Sequence, residues 1–527
     1  QGPVSCAPGN TSVAITTGNP TTVQMTATMD IGNGPEPADN VTWSVVQGGG
    51  NVTANGLYTT PDDHGGLAII QAWRAGDSGL CEVEVNYDGV ENETSSSGVP
   101  SAADNTTTTV SPSCAPSILY PLDNSAMPGS FNPPLIQWNE AGHNMFELTL
   151  ASTFNTYTIY TQADSYQPSE TLWSSLTLLD PGTEVAISIA GGTWTGSSFS
   201  GSLCTSGLET ITEVTDFFIN GLIIYWAPPV TKQIDVDGSG NTNVPLPAAI
   251  CHGCHNVNLA MPTRMSYGPN IPLSTNIIDL ASPGTVISSM NGDYGALNED
   301  GTRIVVGGLF GGLTLHDANT GASLGAISTP AGGAALPTWS PDGTTLVYSS
   351  CNGSASTLEA ADCDLYKQTW NGTGFSNETL LAASPSGTTY YYATFSPDSQ
   401  WIAFNKATET ATADGTTWSN NNPAADAMLV HISGTPIIEL SAANGVGDLT
   451  NSWPRWAPTT GDFGWLAWAS KRDYGHQASG TSQLWVTAID FNLAATGADP
   501  SRAPVWIPGQ NVNEGNHTPT WVPRLGP

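Results

Sequence analysis

The chain has 527 residues and a mass of 54.7 kDa, which is too large for one packed core and predicts three or four domains. Only 11% of the residues are charged, and 45 Asp and Glu outnumber 11 Lys and Arg, for a net charge of −34. This charge repels nucleic acid and anionic membranes, so we expect neither as a partner. The 17 Trp, 15 Tyr and 12 Phe argue against disorder, while 57 Gly and 38 Pro favour short strands, so we expect an almost all-β protein.

The cysteines indicate an oxidising compartment. Two of the eight lie in the pentad Cys251-His252-Gly253-Cys254-His255. The other six are spaced so that each predicted domain holds one pair, and buried free thiols are the alternative. The predicted disulfides are Cys6–Cys81, Cys114–Cys204 and Cys351–Cys363. No apolar run approaches the roughly 18 residues of a membrane helix, and the first residues lack a signal-peptide pattern. We therefore expect a mature chain without a membrane span, located outside the cell, at its surface or in the periplasm.

Short alternating strands separated by turns fill residues 1–87, which predicts a β-sandwich. The segment VTWSVVQGGGNVTANGLYTTP, with Trp43 as core aromatic, resembles bacterial immunoglobulin-like repeats. Residues 88–113 lose apolar periodicity and predict a linker. A second sandwich is predicted over residues 114–216. Its segment ILYPLDNSAMPGSFNPPLIQWNEAGHNMFELTL, with Trp138 pointing inward, resembles fibronectin type III-like domains.

A repeat organises residues 217–527. Each copy is an apolar strand, an S-P-D-G-like turn and a returning strand, as in TWSPDGTTLVYSS, and two further strands follow. The equivalent positions are Val257, Leu297, Trp339, Phe395, Trp456 and Trp521. Only six residues follow Trp521, so we expect LIIYWA and KQIDV, within 222–236, to complete the last unit and close a ring. The repeat resembles the TolB-like six-bladed β-propeller. The expected fold class is therefore all-β, with two β-sandwich domains followed by a six-bladed propeller.

The pentad at 251–255 resembles a c-type haem attachment site. Cys251 and Cys254 would form thioethers to one covalent haem c, and His255 would be the proximal iron ligand. A disulfide or a zinc half-site is the alternative. A bacterial group of TolB-like propellers carries C-x-x-C-H just before its first S-P-D-G turn, and this chain resembles that group. It departs from the group where Asn258-Leu259-Ala260-Met261 replaces the turn.

The repeat register also predicts a distal iron ligand. His517 lies four residues before Trp521, and Gly253 lies four before Val257, which would place both at one depth on neighbouring strands. His517 is the first candidate, Met261 and Met265 are the second, and an open iron is the third. Asp235, Asp237 and Ser239 open a weak calcium pattern, which lacks the closing Glu, and an acidic surface turn is the favoured interpretation of these residues. We predict no catalytic residue, because turn aspartates such as Asp342 more often bind backbone.

These features predict an exported monohaem c-type cytochrome in extracellular or periplasmic electron transfer, rather than a catalyst. The alternatives are a surface adhesin or fibre subunit with a structural haem, and a haem-dependent redox enzyme. The expected partners are a redox protein or other cell-surface subunits, with self-assembly as an alternative.

Overall fold

The computed structural model describes residues 3–30, 32–177, 182–215, 219, 221–247, 252–258, 263–268, 274–308, 311–330, 332–353, 355–408, 410–412, 415–417, 419, 421–458, 461 and 463–522. It divides into two compact units. The first contains residues 1–124 and 133–216, and the second contains residues 125–132 and 217–527. The protein is nearly all β, as predicted. None of the helices in these described ranges is both long and apolar enough to cross a membrane.

Residues 1–216 contain short strands and two helices. In chain order these are β1 Val4–Ala7, β2 Asn10–Thr16, β3 Thr22–Gln24, β4 Thr26–Asp30, β5 Pro35–Pro37, β6 Thr42–Gln47, β7 Asn51–Val52, β8 Leu57–Thr59, β9 Gly66–Arg74, β10 Asp77–Asn92, α1 Val99–Asp104, β11 Thr108–Val110, β12 Ser117–Tyr120, β13 Ser125–Pro128, β14 Ile136–Asn139, β15 Met145–Ala151, β16 Asn155–Thr161, β17 Ser165–Tyr166, α2 Glu170–Thr177, β18 Thr183–Gly192, β19 Leu203–Thr205 and β20 Thr210–Thr215.

One large sheet runs through the first unit, in the hydrogen-bonding order β11-β19-β18-β15-β16-β10-β9-β6. Its centre is the long strand β10, which pairs with β9 on one side and with β2 and β16 on the other. Buried and exposed residues alternate along β10, as expected for a strand with one face in a core. The predicted disulfides Cys6–Cys81 and Cys114–Cys204 are confirmed in this unit.

Residues 88–113 are more ordered than the predicted linker. Strand β10 continues to Asn92, helix α1 follows, and β11 pairs with β19. The parallel pairing of β10 with β16 joins the two predicted sandwiches through one sheet. The threonines of TTTTV have a β-branched side chain that suits a strand, although their polarity hides them from an analysis of apolar periodicity. The assignment to immunoglobulin-like and fibronectin type III-like domains stays a prediction.

Residues 217–527 continue the series with strands and two short helices. They are β21 Leu222–Ala227, β22 Val230–Asp235, β23 Thr242–Asn243, β24 Asn256–Val257, β25 Arg264–Tyr267, β26 Ser274–Asp279, β27 Val286–Asn291, β28 Tyr294–Leu297, β29 Arg303–Gly307, β30 Leu313–Asp317, β31 Ser323–Ile327, β32 Gly333–Trp339, β33 Thr345–Cys351, β34 Cys363–Trp370, β35 Phe375–Ala382, β36 Thr388–Phe395, β37 Trp401–Thr408, β38 Thr410–Thr412, β39 Gly415–Thr417, β40 Asp426–His431, β41 Ile437–Glu439, α3 Ser441–Asn444, β42 Ser452–Trp456, β43 Phe463–Ser470, β44 Gln483–Asp490, α4 Phe491–Ala495, β45 Val505–Trp506 and β46 His517–Val522.

These strands form a propeller-like arrangement, in which the described residues make six four-stranded antiparallel sheets. From the innermost strand outward, sheet 1 is β46-β21-β22-β23, sheet 2 is β24-β25-β26-β27, sheet 3 is β28-β29-β30-β31, sheet 4 is β32-β33-β34-β35, sheet 5 is β36-β37-β40-β41 and sheet 6 is β42-β43-β44-β45. Each innermost strand contacts the next, in a cycle that returns from β42 through β46 to β24. The innermost strands therefore surround a common axis.

Sheet 1 is closed by the two ends of this unit, as the sequence predicts. Strand β21 pairs with β46, with Leu222 opposite Val522 and Ile223 opposite Trp521. The six repeat positions are all buried near the ends of the innermost strands. The third predicted disulfide, Cys351–Cys363, is also confirmed.

Candidate ligand sites on the axis of the propeller-like unit

The innermost strands bring six equivalent residues to the axis, each three positions before a repeat position. These axial residues are Cys254, Tyr294, Leu336, Tyr392, Trp453 and Thr518. All six are buried, and the first five belong to one apolar cluster. Cys254, Trp453 and Thr518 also line one cavity. The axis is therefore filled at this level by one side chain from each sheet.

A β-bulge turns four of these residues inward. The ladder slips between Ala335 and Thr338 in sheet 4, and at the matching places in sheets 1, 5 and 6. The first bulged residue has a positive φ in every case, namely Leu336, Tyr392, Trp453 and Thr518. Proline follows in three of the four, and its missing N–H is tolerated because a bulge leaves that position outside the ladder.

Aromatic side chains close the axis at its middle. The rings of Tyr392 and Trp453 stack with centroids 3.6 Å apart, and Tyr294 lies 6.2 Å from Trp453. The Tyr392 hydroxyl donates to the carbonyl of Thr357, whose hydroxyl in turn donates to Asp293. Burial raises the pKa of Tyr392 well above its ordinary value, so this phenol stays neutral. We call these rings the aromatic layer, and a cavity lies on each side of it.

The first cavity, the turn-side cavity, has a volume of about 260 Å³. It opens at the end of the innermost strands where the S-P-D-G-like turns begin, and all six repeat positions line it. The residues immediately before the repeat positions, which we call rim residues, supply polar groups. The rim residues in this cavity are Asn256, Thr338, Thr394, Arg455 and Thr520. Ala296 is the sixth by register.

The lining of this cavity is polar, and only some of its hydrogen-bond donors and acceptors have a partner among the described residues. The Thr520 hydroxyl and the indole nitrogens of Trp339 and Trp456 are buried without a hydrogen-bond partner among the described residues. Arg455 is only 7% exposed and donates to the carbonyl of Pro454 (2.9 Å) and to the Tyr294 hydroxyl (3.0 Å). Buried polar groups are nearly always paired, so this cavity is a candidate ligand site.

The second cavity, the far-side cavity, lies beyond the aromatic layer and has a volume of about 220 Å³. Gly253, Cys254 and His517 line it together, with Trp226 and Leu358 among the other residues. His517 and Gly253, which the repeat register predicts at one depth, thus both line this cavity. Burial, with a smaller contribution from the positive charge of Lys471, lowers the pKa of His517 to about 4.

The haem prediction is wrong. Among the described residues, no three His, Cys, Asp or Glu side chains come together in a group able to hold a metal ion. His255 is fully buried, its Nδ1 bonds the carbonyl of His252 at 3.0 Å, and it is not among the residues lining the far-side cavity. The volume of this cavity, about 220 Å³, is also smaller than the roughly 300–1,000 Å³ of pockets that hold drug-sized ligands. Haem is larger than most of these ligands.

Residues 252–255 instead directly precede strand β24, the innermost strand of sheet 2. His252 packs edge-on against Trp226 and lies 5.2 Å from the Tyr267 ring, and its Nε2 bonds the carbonyl of Pro247. Cys254 is buried at an axial position and is not a member of the three disulfides described above. Burial lowers the pKa of His255 to about 4, which keeps this imidazole neutral. The prediction for Cys251 lies outside the described residues.

The structure describes two of the three candidates for the distal ligand, His517 and Met265. The Nδ1 atom of His517 lies 3.2 Å from the Ser482 hydroxyl. Met265 is fully buried opposite Val257, in a core cluster with Tyr267. Met261 lies outside the described residues.

The calcium prediction is also wrong, because the described residues contain no group of acidic side chains able to hold a metal ion. Asp235 ends strand β22, and its backbone N–H and the backbone carbonyl of Ser239 form a 2.9 Å bond across a tight turn. The Asp237 carboxylate accepts from the Ser239 N–H at 2.8 Å. These residues form an acidic turn.

The turn aspartates have the structural role that the sequence favours. The Asp342 carboxylate accepts from the Thr344 N–H at 2.9 Å and from the Ser340 hydroxyl. Partial burial acts to raise the pKa of Asp342, but these hydrogen bonds outweigh it and lower the pKa. Asp300 and Asp398 bind backbone N–H groups in the same way.

Sequence reasoning missed Arg455. The signal was present in the repeat, because LPTW, TPTW and WPRW align at 336–339, 518–521 and 453–456. Arginine stands in the third segment where the other two have threonine.

No protein-family model matches the chain, and no curated protein sequence matches it. Among solved structures, the chain is similar to one in a nidogen/laminin complex, at 10% identity and a TM-score of 0.37, over 57% of this chain and 97% of that chain. An oligogalacturonate lyase in complex with manganese matches at 12% identity and a TM-score of 0.30, over 49% and 82%. Dihydro-heme d1 dehydrogenase NirN in complex with DHE matches at 12% identity and a TM-score of 0.32, over 54% of this chain and 53% of that chain. Similarities this weak carry no argument about function.

Proposed function

We propose that the protein is an exported binding protein of the surface-adhesin class, built on a six-bladed TolB-like β-propeller that takes its ligand in the turn-side cavity. The S-P-D-G-like repeat and the cycle of six sheets support the propeller type. Three disulfides support export, because such bonds persist in oxidising compartments. Other cell-surface subunits are the partners we propose for the assembled protein.

The observation that carries the proposal is the lining of the turn-side cavity. Every sheet contributes a residue to it, and three lining residues hold a buried polar atom that has no partner in the part of the chain that the structure describes. Leaving such an atom unpaired costs about 1–3 kcal/mol, and a ligand with polar groups would recover that free energy. Electron transfer and haem-dependent chemistry were expected only because of the predicted haem, so the corrected cofactor assignment removes their support.

A cavity-filling variant tests this function. Thr394→Trp introduces a large side chain at the rim, whereas Leu358→Trp makes a matched change at the far-side cavity. A panel of small neutral, anionic and cationic compounds is screened by the shift in melting temperature, and each hit is titrated by calorimetry. We expect binding to fall at least tenfold in Thr394→Trp and to persist in Leu358→Trp. Equal binding by both variants, or no binding by the parent protein, would rule the proposed site out.

A further inference from the structure

Among the residues that the structure describes, the turn-side cavity contains a buried positive charge without a buried counter-ion. A guanidinium has five N–H donors, and within this described part Arg455 donates to two protein acceptors, the Pro454 carbonyl and the Tyr294 hydroxyl. None of the ion pairs between described residues involves Arg455. Arginine is almost never this deeply buried unless it is paired.

Neither Glu299 nor Asp293 forms an ion pair with Arg455. Glu299 lines the same cavity, but it is exposed and forms no ion pair with Arg455. Asp293 is buried close to the aromatic layer, and its Oδ2 accepts from the N–H and the hydroxyl of Thr357.

A second buried arginine of this unit shows what a structural arginine looks like. Arg472 is 5% exposed and donates to the carbonyls of Ala443 and Asn444, to the Asn451 side chain and to the Ser470 hydroxyl. Protein acceptors therefore surround its guanidinium. Arg455 has no comparable set of acceptors within the described ranges, and it lines a cavity.

The repeat gives an independent reason to regard Arg455 as a specific feature. Sheets 1, 4 and 5 carry threonine at this rim position, as Thr520, Thr338 and Thr394. Threonine is thus sufficient for folding the strand there. Arginine at Arg455 adds a charge to a ring of hydroxyl groups that can donate hydrogen bonds.

We propose that the turn-side cavity binds a small oxyanion, with the Arg455 guanidinium as its charge partner and the rim hydroxyls of Thr338, Thr394 and Thr520 as further donors. This inference rests on the proposed function and names the chemical class of its ligand. Carboxylate and phosphate groups share the required chemistry, since both accept paired hydrogen bonds from a guanidinium. The volume of about 260 Å³ suits a ligand below drug size.

Calorimetry on the full chain tests the proposal with malonate, inorganic phosphate and malonamide, the neutral analogue of malonate. We expect malonate or phosphate to bind, malonamide to bind at least tenfold more weakly, and the preferred anion to identify the group. Arg455→Thr, which installs the residue of sheets 1, 4 and 5, should weaken anion binding about 10- to 100-fold, as expected for loss of a charge-assisted bond. Arg502→Thr, an exposed site, removes the same charge as a control.

Two further measurements cover a variant that does not fold. Arg455→Lys keeps the charge and should retain part of the affinity. Crystals of the parent protein soaked in selenate should show anomalous density within hydrogen-bond distance of Arg455. Equal anion affinity in Arg455→Thr and the parent, or selenate absent from this position, would overturn the proposal. Neutral compounds that bind in the cavity while anions do not would overturn the anion site alone and leave the proposed function standing.

Discussion

The two ends of the axis are made by the same six strands, yet they offer different chemistry. At the turn side, three of the six equivalent rim positions carry threonine, and Arg455 is the one that carries a charge. At the far side, the equivalent axial positions carry three different residue types in the cavity lining, Cys254, Trp453 and Thr518. The aromatic layer separates the two ends. A repeated position that is uncharged in five of its six copies therefore makes the one charged copy visible, and such a deviation is the better indicator of a binding site.

Opening the ring should have the largest effect on both ends. Truncation after Gly515 removes β46, the innermost strand of sheet 1. Strand β21 then loses its inner hydrogen-bonding partner, and the innermost strands β24 and β42 of the neighbouring sheets lose a packing neighbour. We expect residues 217–527 to lose their cooperative unfolding transition in calorimetry. Truncation after Val522 keeps β46 and serves as the matched control. A normal transition after the first truncation would show that closure is not needed.

Removing the aromatic layer should join the two cavities. Trp453 is 6% exposed, stacks on Tyr392 and lies under the Arg455 guanidinium, 5.5 Å from its ring centre. Trp453→Ala should lower the free energy of unfolding by about 3–5 kcal/mol, as is typical for a large buried aromatic. Trp73→Ala, at a site 47% exposed in the first unit, should cost much less. Denaturant titration measures the free energy of unfolding of both variants. Equal losses would contradict the buried, packed position of Trp453 in the aromatic layer.

The far side should be sensitive to acid through His517. Its pKa is about 4 in the folded protein and near 6.5 in the unfolded chain, so the unfolded state binds more protons between these values. Stability should therefore fall as the pH drops from 6.5 towards 4, by on the order of 2 kcal/mol at pH 5 from this residue. His517→Gln should lose less stability between pH 7 and pH 5 than the parent in denaturant titrations. If His517→Gln loses as much stability as the parent between pH 7 and pH 5, His517 does not titrate in this range.

The smallest effect is expected at the turn-side rim, and its sign is informative. The Thr520 hydroxyl is buried without a partner among the described residues, whereas the Thr487 hydroxyl donates to the Arg502 carbonyl at 2.7 Å. Thr520→Val should leave the unfolding free energy unchanged or raise it by up to about 1 kcal/mol, while Thr487→Val should lower it by about 1 kcal/mol. Thr520→Val should at the same time weaken anion binding. Destabilisation by both changes would argue that Thr520 has a structural role.

The sequence was a good guide where the repeat carried the information. Equivalent residues such as Trp339 and Trp456 located the innermost strands, and the shortage of strands after Trp521 predicted the pairing of β21 with β46. Cysteine spacing predicted three disulfides. The pentad misled because its spacing satisfies haem attachment, while in the fold His252 and Cys254 pack among core side chains just before strand β24. No local pattern reports which role wins, since burial depends on residues far away in the chain.

The first unit was harder to predict for a related reason. Strand β10 pairs with β16 across a long sequence separation, and the threonine-rich β11 lacks the apolar alternation that indicates a strand. The shape of the axial cavities also depends on the four bulges. The first bulged residue, such as Leu336, has a positive φ, and a non-glycine residue does not indicate such a φ in the sequence. A proline directly after the bulged residue is the nearest signal, and it is missing in sheet 5, where Ala393 follows Tyr392.

The pairing of β21 with β46 also sets an order of events during biosynthesis. Strand β21 leaves the ribosome before all the other strands of the six sheets, but its inner partner is the last of them to be made. Sheet 1 therefore waits, with one edge open, until translation of β46 is complete, and an export machinery that delivers the chain unfolded would avoid the aggregation that such an open edge invites. The axis, with its charged cavity, then exists only in chains that have been synthesised through Val522.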